Sequence, residues 1–337
     1  MKILITGVAG FIGSNLADKL LRIRNDKFEV QSCRKKIEKK DSQTSNPRSK
    51  VFHIIGVDNL AYGVREQIPE GVEFHQLDIR SKEISPLFEG VDYVFHLAAK
   101  NCINDCQADP VETAEINITG TVNVFESAKK VGAKKVIYAE SSAMYEGSDT
   151  FPTPEKDVNA ESFYAISKLC SNIFAKSYKR FFGLKTTGIR YFNVYGPRQD
   201  YRRTIPPVMS AFVISLLKGN APIIYGTGEK RRDFVYIDDV NNFHLLCLKD
   251  NRTDGKVFNI GSGRNYSILE IYKIISSLLE KKIAPIFKPD LPGEAFENLA
   301  DVAEAKKLGW QPETNIKDGL KKIIKYIKKE IKKGNIN

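Results

Sequence analysis

Tyr164-Ala165-Ile166-Ser167-Lys168 sets a phenol and an ammonium four residues apart, on one face of any helix that contains them. A free tyrosine titrates near pH ~10, and lowering it by ~3 units takes ~4 kcal/mol of preferential stabilisation of the phenolate. A neighbouring ammonium and the positive ring of an oxidised nicotinamide, in a partly desolvated site, supply that stabilisation and make the tyrosine a base. Alone, the spacing is equally that of an exposed helix surface. Two other motifs make it chemical. Ser141-Ser142 follows a predicted strand, where a hydroxyl can face the same substrate hydroxyl and share its proton. Near the N-terminus, Gly7-Val8-Ala9-Gly10-Phe11-Ile12-Gly13 follows an apolar strand and opens a helical pattern. Glycines there permit a tight turn and close approach of backbone N–H groups to a pyrophosphate, beside the positive end of a helix. The pair of motifs predicts an NAD-using enzyme. Asp58 ends the second predicted strand, where its carboxylate can accept from ribose hydroxyls and would repel a 2′-phosphate, favouring NAD over NADP. Asp78, after the third strand, is read either as an adenine contact or as a turn residue.

Positioning these groups takes an alternating fold. Strands are predicted at Met1 to Thr6, His53 to Asp58, Val72 to Leu77, Tyr93 to Ala98, Lys135 to Ala139 and Thr186 to Tyr191. Helical periodicity marks Ser14 to Arg24, Val111 to Val131 and Tyr164 to Phe182. Such alternation predicts an α/β, Rossmann-like, doubly wound parallel sheet covered on both faces. A polar, charged insertion, Ser32 to Lys50, separates the glycine turn from Asp58 and explains why that acid lies beyond the usual spacing of about 20 residues. Residues 1–182 are predicted as the NAD-binding domain, with returning strands near 186–191 and 257–260. Residues 196–337, richer in proline and aromatics, are predicted mainly as a smaller α/β substrate-binding domain.

The chain has 337 residues, 42% hydrophobic and 28% charged, ordinary for a soluble globular protein. No run of 18 apolar residues and no cleavable leader is visible, so a cytoplasmic protein without a membrane span is expected. Five cysteines argue against a disulfide framework, and Cys102 and Cys106 lack the partners of a zinc site, so no metal is expected. The net charge is +11, with much of the excess in Arg34 to Lys50 and Lys317 to Lys333. Only Phe52 stands near Arg34 to Lys50, which argues against a nucleic-acid module, and no nucleic-acid partner is expected. The tail reads as an amphipathic helix with a solvated lysine face. Weak peripheral association with an anionic membrane is the alternative.

The motifs GVAGFIG, VDNL (Val57 to Leu60), FHLAA (Phe95 to Ala99), NITGT (Asn117 to Thr121), ESSAMY (Glu140 to Tyr145), YAISK, RYFNVYGPR (Arg190 to Arg198) and RRDFVYIDD (Arg231 to Asp239) appear in order. By this set the chain resembles the extended short-chain dehydrogenase/reductases of the NAD-dependent sugar epimerase/dehydratase family, in pattern the UDP-glucose and UDP-N-acetylglucosamine 4-epimerases. The resemblance implies a catalytic Ser142, Tyr164 and Lys168. The stretch after Ser142 is one residue shorter than the common form, so the choice between Ser141 and Ser142 stays open. It further implies NAD contacts from Gly7, Gly10, Phe11, Ile12, Gly13, Asp58, Asn59, Asp78, Ile79, Leu97, Ala98, Lys100 and Asn117. Asn193 and Arg232 match diphosphate anchors, Glu294 a ribose contact, and Val208 and Tyr225 the uracil site.

The implied reaction is 4-epimerisation of a UDP-hexose. Tyr164 removes the proton of the sugar 4-hydroxyl while hydride passes to NAD, the 4-keto sugar turns over, and the hydride returns to the other face. Asn298 stands near a position where a bulky tyrosine excludes N-acetyl groups in some relatives. UDP-N-acetylglucosamine/UDP-N-acetylgalactosamine and UDP-glucose/UDP-galactose both remain open, with a lean toward acceptance of the former. A 4,6-dehydratase would carry Asp-Glu after its catalytic residue, whereas Ala143-Met144 follow Ser142. A glucuronate epimerase or decarboxylase would need cationic groups at the C6 carboxylate. A silent NAD-binding regulator would have lost Tyr164 or Lys168. The family also implies a homodimer through the Val111 to Val131 and Tyr164 to Phe182 helices.

Overall fold

A computed structural model describes residues 1–23, 52–202, 206–290 and 295–336. The insertion Ser32 to Lys50 and Glu294 lie outside these residues. The main sheet has seven strands: β1 (Lys2–Thr6), β2 (His53–Asp58), β3 (Val72–Gln76), β4 (Tyr93–His96), β5 (Lys135–Ser141), β6 (Thr186–Tyr191) and β10 (Lys256–Ile260). Their order is β10-β6-β5-β4-β1-β2-β3, and every pairing is parallel. The order reverses between β1 and β4, which opens a crevice at the carboxyl ends of the strands.

Side chains alternate across this sheet. In β1, Ile3 and Ile5 join one buried cluster with helices Phe11–Arg22 and Ile237–Lys249, while Leu4 joins the other with helices Gly120–Lys130 and Phe163–Phe182. A strand apolar on both faces has to be covered on both, and each fully buried isoleucine or leucine contributes about 1.5–3 kcal/mol.

A second body of structure packs around a third apolar cluster. Its strands are β7 (Asn193–Tyr195), β8 (Ile223–Tyr225), β9 (Arg231–Tyr236), β11 (Asn265–Ser267) and β12 (Ile286–Lys288), forming a three-stranded β11-β9-β7 sheet and a β12-β8 pair. Helices Val208–Leu217, Ile268–Leu279 and Ile316–Lys332 enclose the cluster. Ile316, Leu320, Ile323, Ile324 and Ile327 of the last helix are buried in it. The apolar stripe considered above for a membrane surface is therefore part of the core, and lysines face outward. No helix among the described residues is long and apolar enough to cross a membrane.

The element bounds differ from the sequence reading mainly at helix starts. The helix expected from Ser14 begins at Phe11, directly on the glycine turn. The helical stretch expected over Val111 to Val131 is interrupted by a π-helical turn at Glu115–Thr119, between Pro110–Ala114 and Gly120–Lys130.

Candidate active site

The glycine turn is tight because no side chain fits in it. Gly7 adopts a left-handed backbone (φ +74°), and a Cβ there would sit 2.7 Å from the Ala98 nitrogen. A Cβ on Gly13 would collide with the Gly7 carbonyl oxygen. Gly10 caps the following helix without a side-chain bond, which leaves the first backbone N–H groups directed at the crevice. Asp58 ends β2 almost fully buried; Ala9 N–H donates to its Oδ2 (3.0 Å) and Leu60 N–H to its Oδ1 (2.8 Å). Burial pushes its carboxyl up, and these two bonds offset part of that. Asp78 is held down to about 2, first by the Arg80 side chain (2.9 Å) and further by Asn59 (2.9 Å). This cradle of open N–H groups beside a recessed carboxylate fits an adenine dinucleotide.

The cradle opens into a cleft of about 420 Å³ that also contains Tyr164, Lys168 and Ser141. Gly7, Gly10, Phe11, Ile12, Gly13, Asp58, Asn59, Asp78, Ile79, Leu97, Ala98, Lys100 and Asn193 line the same cleft. Residues distant in the chain meet there because the glycine turn, β4, β5 and β6 all end at one edge of the sheet. Helix Phe163–Phe182 brings the tyrosine and lysine, and its start is set by Ser162, whose Oγ accepts from Ala165 N–H (3.1 Å). Lys168 is buried; its Nζ donates to the Ala139 carbonyl (3.2 Å) and lies 6.0 Å from the centre of the Tyr164 ring. Burial pulls its ammonium down to about 8, with Glu140 and Cys106 opposing the shift.

Between the two serines the geometry differs. Ser141 ends β5, lines the cleft, and its Oγ accepts from Ala143 N–H (3.2 Å). Ser142 opens the short 3-10 turn Ser142–Tyr145 and is not part of the cleft wall. Glu146, the nearest acid downstream, is committed elsewhere: Ser162 donates to it from both N–H (2.8 Å) and Oγ (2.9 Å).

Other expected site residues lie behind or beyond this wall. Asn117 sits in the π-helical turn, buried, accepting from Lys100 N–H (2.9 Å) and donating to Lys100 O (2.9 Å) and Ser167 Oγ (2.9 Å). It braces the Lys100 segment against the helix of Tyr164, a use consistent with π turns collecting at functional sites. The Lys100 ammonium is paired with Glu112 at 2.6 Å. Asn298 is tied back by Asp233 N–H (2.8 Å) and Asn193 Nδ2 (3.2 Å), both donating to its Oδ1. Arg232 Nη1 donates to the carbonyls of Arg231 (3.0 Å) and Phe296 (3.2 Å). Val208 opens a helix and Tyr225 ends β8. Ser142, Asn117, Asn298, Arg232, Val208 and Tyr225 do not line this cleft. Cys102 precedes a short helix and Cys106 is buried within it; no group of metal-ligating side chains occurs among the described residues.

Sequence reasoning missed several cleft residues: Tyr62, Glu140, Tyr191, Phe192, Gln199 and Asp200. The signal for Tyr191 and Phe192 was available, since Tyr191 ends a parallel strand and Phe192 follows it, where ligands bind. The others sit on loops or beneath side chains whose course only folding defines. His96, at the end of β4, was also missed. The Thr6 hydroxyl meets its Nδ1 (2.8 Å) and the Thr121 hydroxyl its Nε2 (2.9 Å). Thr121 donates onward to Asn117 O (2.6 Å), while Thr6 accepts from Leu97 and Ala98 N–H (both 3.2 Å). These partners assign a neutral imidazole protonated on Nε2. Burial drives its pKa down to about 3.

Residues 3–261 match the model of the NAD dependent epimerase/dehydratase family. The chain belongs to this family. A putative UDP-glucose 4-epimerase of Methanocaldococcus jannaschii is 32% identical over 330 residues, covering 97% of this chain and 98% of that protein. The crystal structure of a UDP-glucose 4-epimerase from Thermotoga maritima with UDP-glucose superposes with a TM-score of 0.87 at 32% identity, over 98% of this chain and 100% of the other. A UDP-N-acetylglucosamine 4-epimerase from Methanobrevibacter ruminantium, in complex with UDP-N-acetylmuramic acid, gives a TM-score of 0.86 at 27% identity, over 98% of each chain. Membership makes the protein an NAD-using enzyme, and the 4-epimerases it is similar to put it in the isomerase class. The parallel α/β architecture is likewise that of the family's solved members.

Proposed function

We propose that this enzyme interconverts the C4 epimers of a UDP-hexose, acting on N-acetylated as well as unsubstituted sugars. The observation that carries the reading is the convergence of Tyr164, Lys168 and Ser141 on the cleft that contains the glycine turn and Asp58. Bound NAD, held by that turn, Asp58 and Asp78, supplies reversible two-electron oxidation at C4. The protein's own residues manage the proton and the orientation. Tyr164 takes the proton of the 4-hydroxyl, and the Lys168 cation lowers the cost of the phenolate. Ser141 hydrogen-bonds the same sugar oxygen. The resulting 4-ketone rotates in the cleft, and the Tyr164 hydroxyl gives the proton back to the oxygen of the inverted centre.

Asn193 and Arg232 anchor the diphosphate, with Val208 and Tyr225 at the nucleoside. Their binding energy is remote from the reacting carbon, so the hexose can turn while the nucleotide stays fixed. Asn298, short and drawn toward Asp233 and Asn193, supports acceptance of an N-acetyl group. Dehydration is disfavoured because Ser142-Ala143 follow Ser141 and the Glu146 carboxylate is engaged by Ser162. A homodimer is part of the same reading. Helix Phe163–Phe182 leaves Ile173 and Phe181 exposed (54% and 69%), alongside Phe163, Ile166 and Phe174, with Val111 exposed on the neighbouring helical stretch. A second copy would cover that face.

The test is incubation with UDP-galactose and, separately, UDP-N-acetylgalactosamine, with product identification. The 4-epimer is expected from each. Tyr164→Phe should retain bound NAD and lose turnover, and a Tyr164→Phe protein with appreciable activity would defeat the assignment.

A further inference from the structure

Glu140 immediately precedes Ser141 in β5 and is buried, as is Arg190, the residue facing it in β6. Arg190 Nε lies 2.6 Å from the Glu140 carboxylate. Two further donors fix that carboxylate: the Tyr138 hydroxyl (2.8 Å) and Asn172 Nδ2 (2.8 Å). Asn172 lies one turn beyond Lys168, so one helix face meets β5 with both residues: Lys168 at the Ala139 carbonyl and Asn172 at the next residue's carboxylate. Arg190 is held in turn by the Tyr145 hydroxyl (2.8 Å) and the Glu155 carbonyl (2.5 Å). Buried pairs contribute little net stability, because desolvation of both ions offsets their attraction. This one adjoins the strand residue that holds the catalytic ammonium.

The charges around Lys168 can be named. Glu140 faces it from β5, with Arg190 behind on β6. Cys106 faces it from helix Ile103–Ala108, His96 from β4, and Tyr164 from its own helix. His96 is neutral and Cys106 is a buried thiol, so Glu140 is the anion that opposes the burial of the ammonium.

We propose that the buried Glu140–Arg190 pair is a positioning device that keeps Lys168 cationic beneath the reacting tyrosine. The inference rests on the function proposed above. It predicts a charge effect on turnover with no direct effect on substrate binding, since the pair acts through Lys168.

The experiment is the pH profile of kcat and KM for epimerisation by the NAD-loaded enzyme, comparing wild type, Glu140→Gln, Glu140→Asp and the double variant Glu140→Gln/Arg190→Met. Removing the anion alone leaves Arg190 uncompensated. The alkaline limb of kcat should then move down by about 0.5–1 pH unit, so that kcat at pH 8.5 falls about fivefold relative to wild type while KM is unchanged. The double variant, neutral at both positions, should bring the limb back toward its wild-type position. A merely structural role predicts the reverse, with the double variant at least as perturbed as the single. An unshifted limb in Glu140→Gln, or a double variant displaced as far, overturns the inference. If Glu140→Gln yields no folded protein, Glu140→Asp carries the test: the retracted carboxylate should give a smaller downward shift, and an unshifted limb overturns the idea. Wild type without epimerase activity would count against the proposed function itself, whereas an active wild type with indifferent variants counts against this inference alone.

Discussion

His96 and His244 are fully buried, and burial drives each imidazole down to about 3 from the ordinary 6.5. His96 is enclosed by the Thr6 and Thr121 hydroxyls; His244 meets the Tyr191 hydroxyl through Nε2 (2.6 Å) and Asn241 Oδ1 through Nδ1 (3.1 Å). Acidification is the perturbation that addresses them. Below pH ~6.5 the unfolded chain binds two protons that the folded chain refuses, so their contribution is complete above that pH and is lost as pH falls toward ~3. At pH 5 each histidine lies ~1.5 units below its unfolded pKa, which costs about 2 kcal/mol per site and about 4 kcal/mol for both. That is a large share of a typical stability of roughly 5–15 kcal/mol. The assay is urea unfolding at pH 7 and pH 5 for wild type and His96→Gln/His244→Gln. The double variant should start lower at pH 7, because its amides replace the imidazole hydrogen bonds imperfectly, yet lose about 4 kcal/mol less on going to pH 5. Carboxylates titrate alike in both proteins and cancel in the comparison. Equal declines would refute the reasoning. Both histidines adjoin cleft residues, so NAD release should accompany the loss.

Gly13→Ala places a methyl group against the Gly7 carbonyl, and either the turn or the helix start must shift; at the ~1–3 kcal/mol typical of overpacking, the purified protein should carry markedly less NAD by absorbance, and full occupancy would contradict the cradle. Asn298→Tyr should lower kcat/KM for UDP-N-acetylgalactosamine by at least ~10-fold while sparing UDP-galactose, and a parallel loss on both sugars would remove Asn298 from specificity. Ile173→Glu puts a charge on the exposed helix face and should convert the proposed dimer to monomer in light scattering; a wild type already monomeric at micromolar concentration would dispose of that interface.

Local pattern and tertiary arrangement divided the information along physical lines. The glycine turn, the strand–helix alternation and the Tyr164–Lys168 spacing were readable because each is a short-range constraint: backbone clearance at Gly7 and Gly13, a period of 2 or 3.6 in apolar residues, one turn of helix. Asp58 was legible despite the insertion because a strand end is marked by its own apolar run. The choice of Ser141 over Ser142 for the cleft wall was not, since it depends on where β5 stops and its 3-10 turn begins. Asn117 was placed among the NAD contacts by its motif, but its amide is spent bracing Lys100 and Ser167. The sequence sets Asn298 near the position of an excluding tyrosine, but only the fold ties its carbonyl to Asp233 and Asn193. Glu140 finds Arg190 only when β5 and β6 pair, and His96 finds Thr6 and Thr121 only across the sheet. Sequence alone determined the architecture and the chemical vocabulary of the site, because those follow from backbone sterics and periodicity. Tertiary structure alone decided which polar groups are satisfied, buried or left facing the cleft, because desolvation and pairing depend on neighbours far away in the chain.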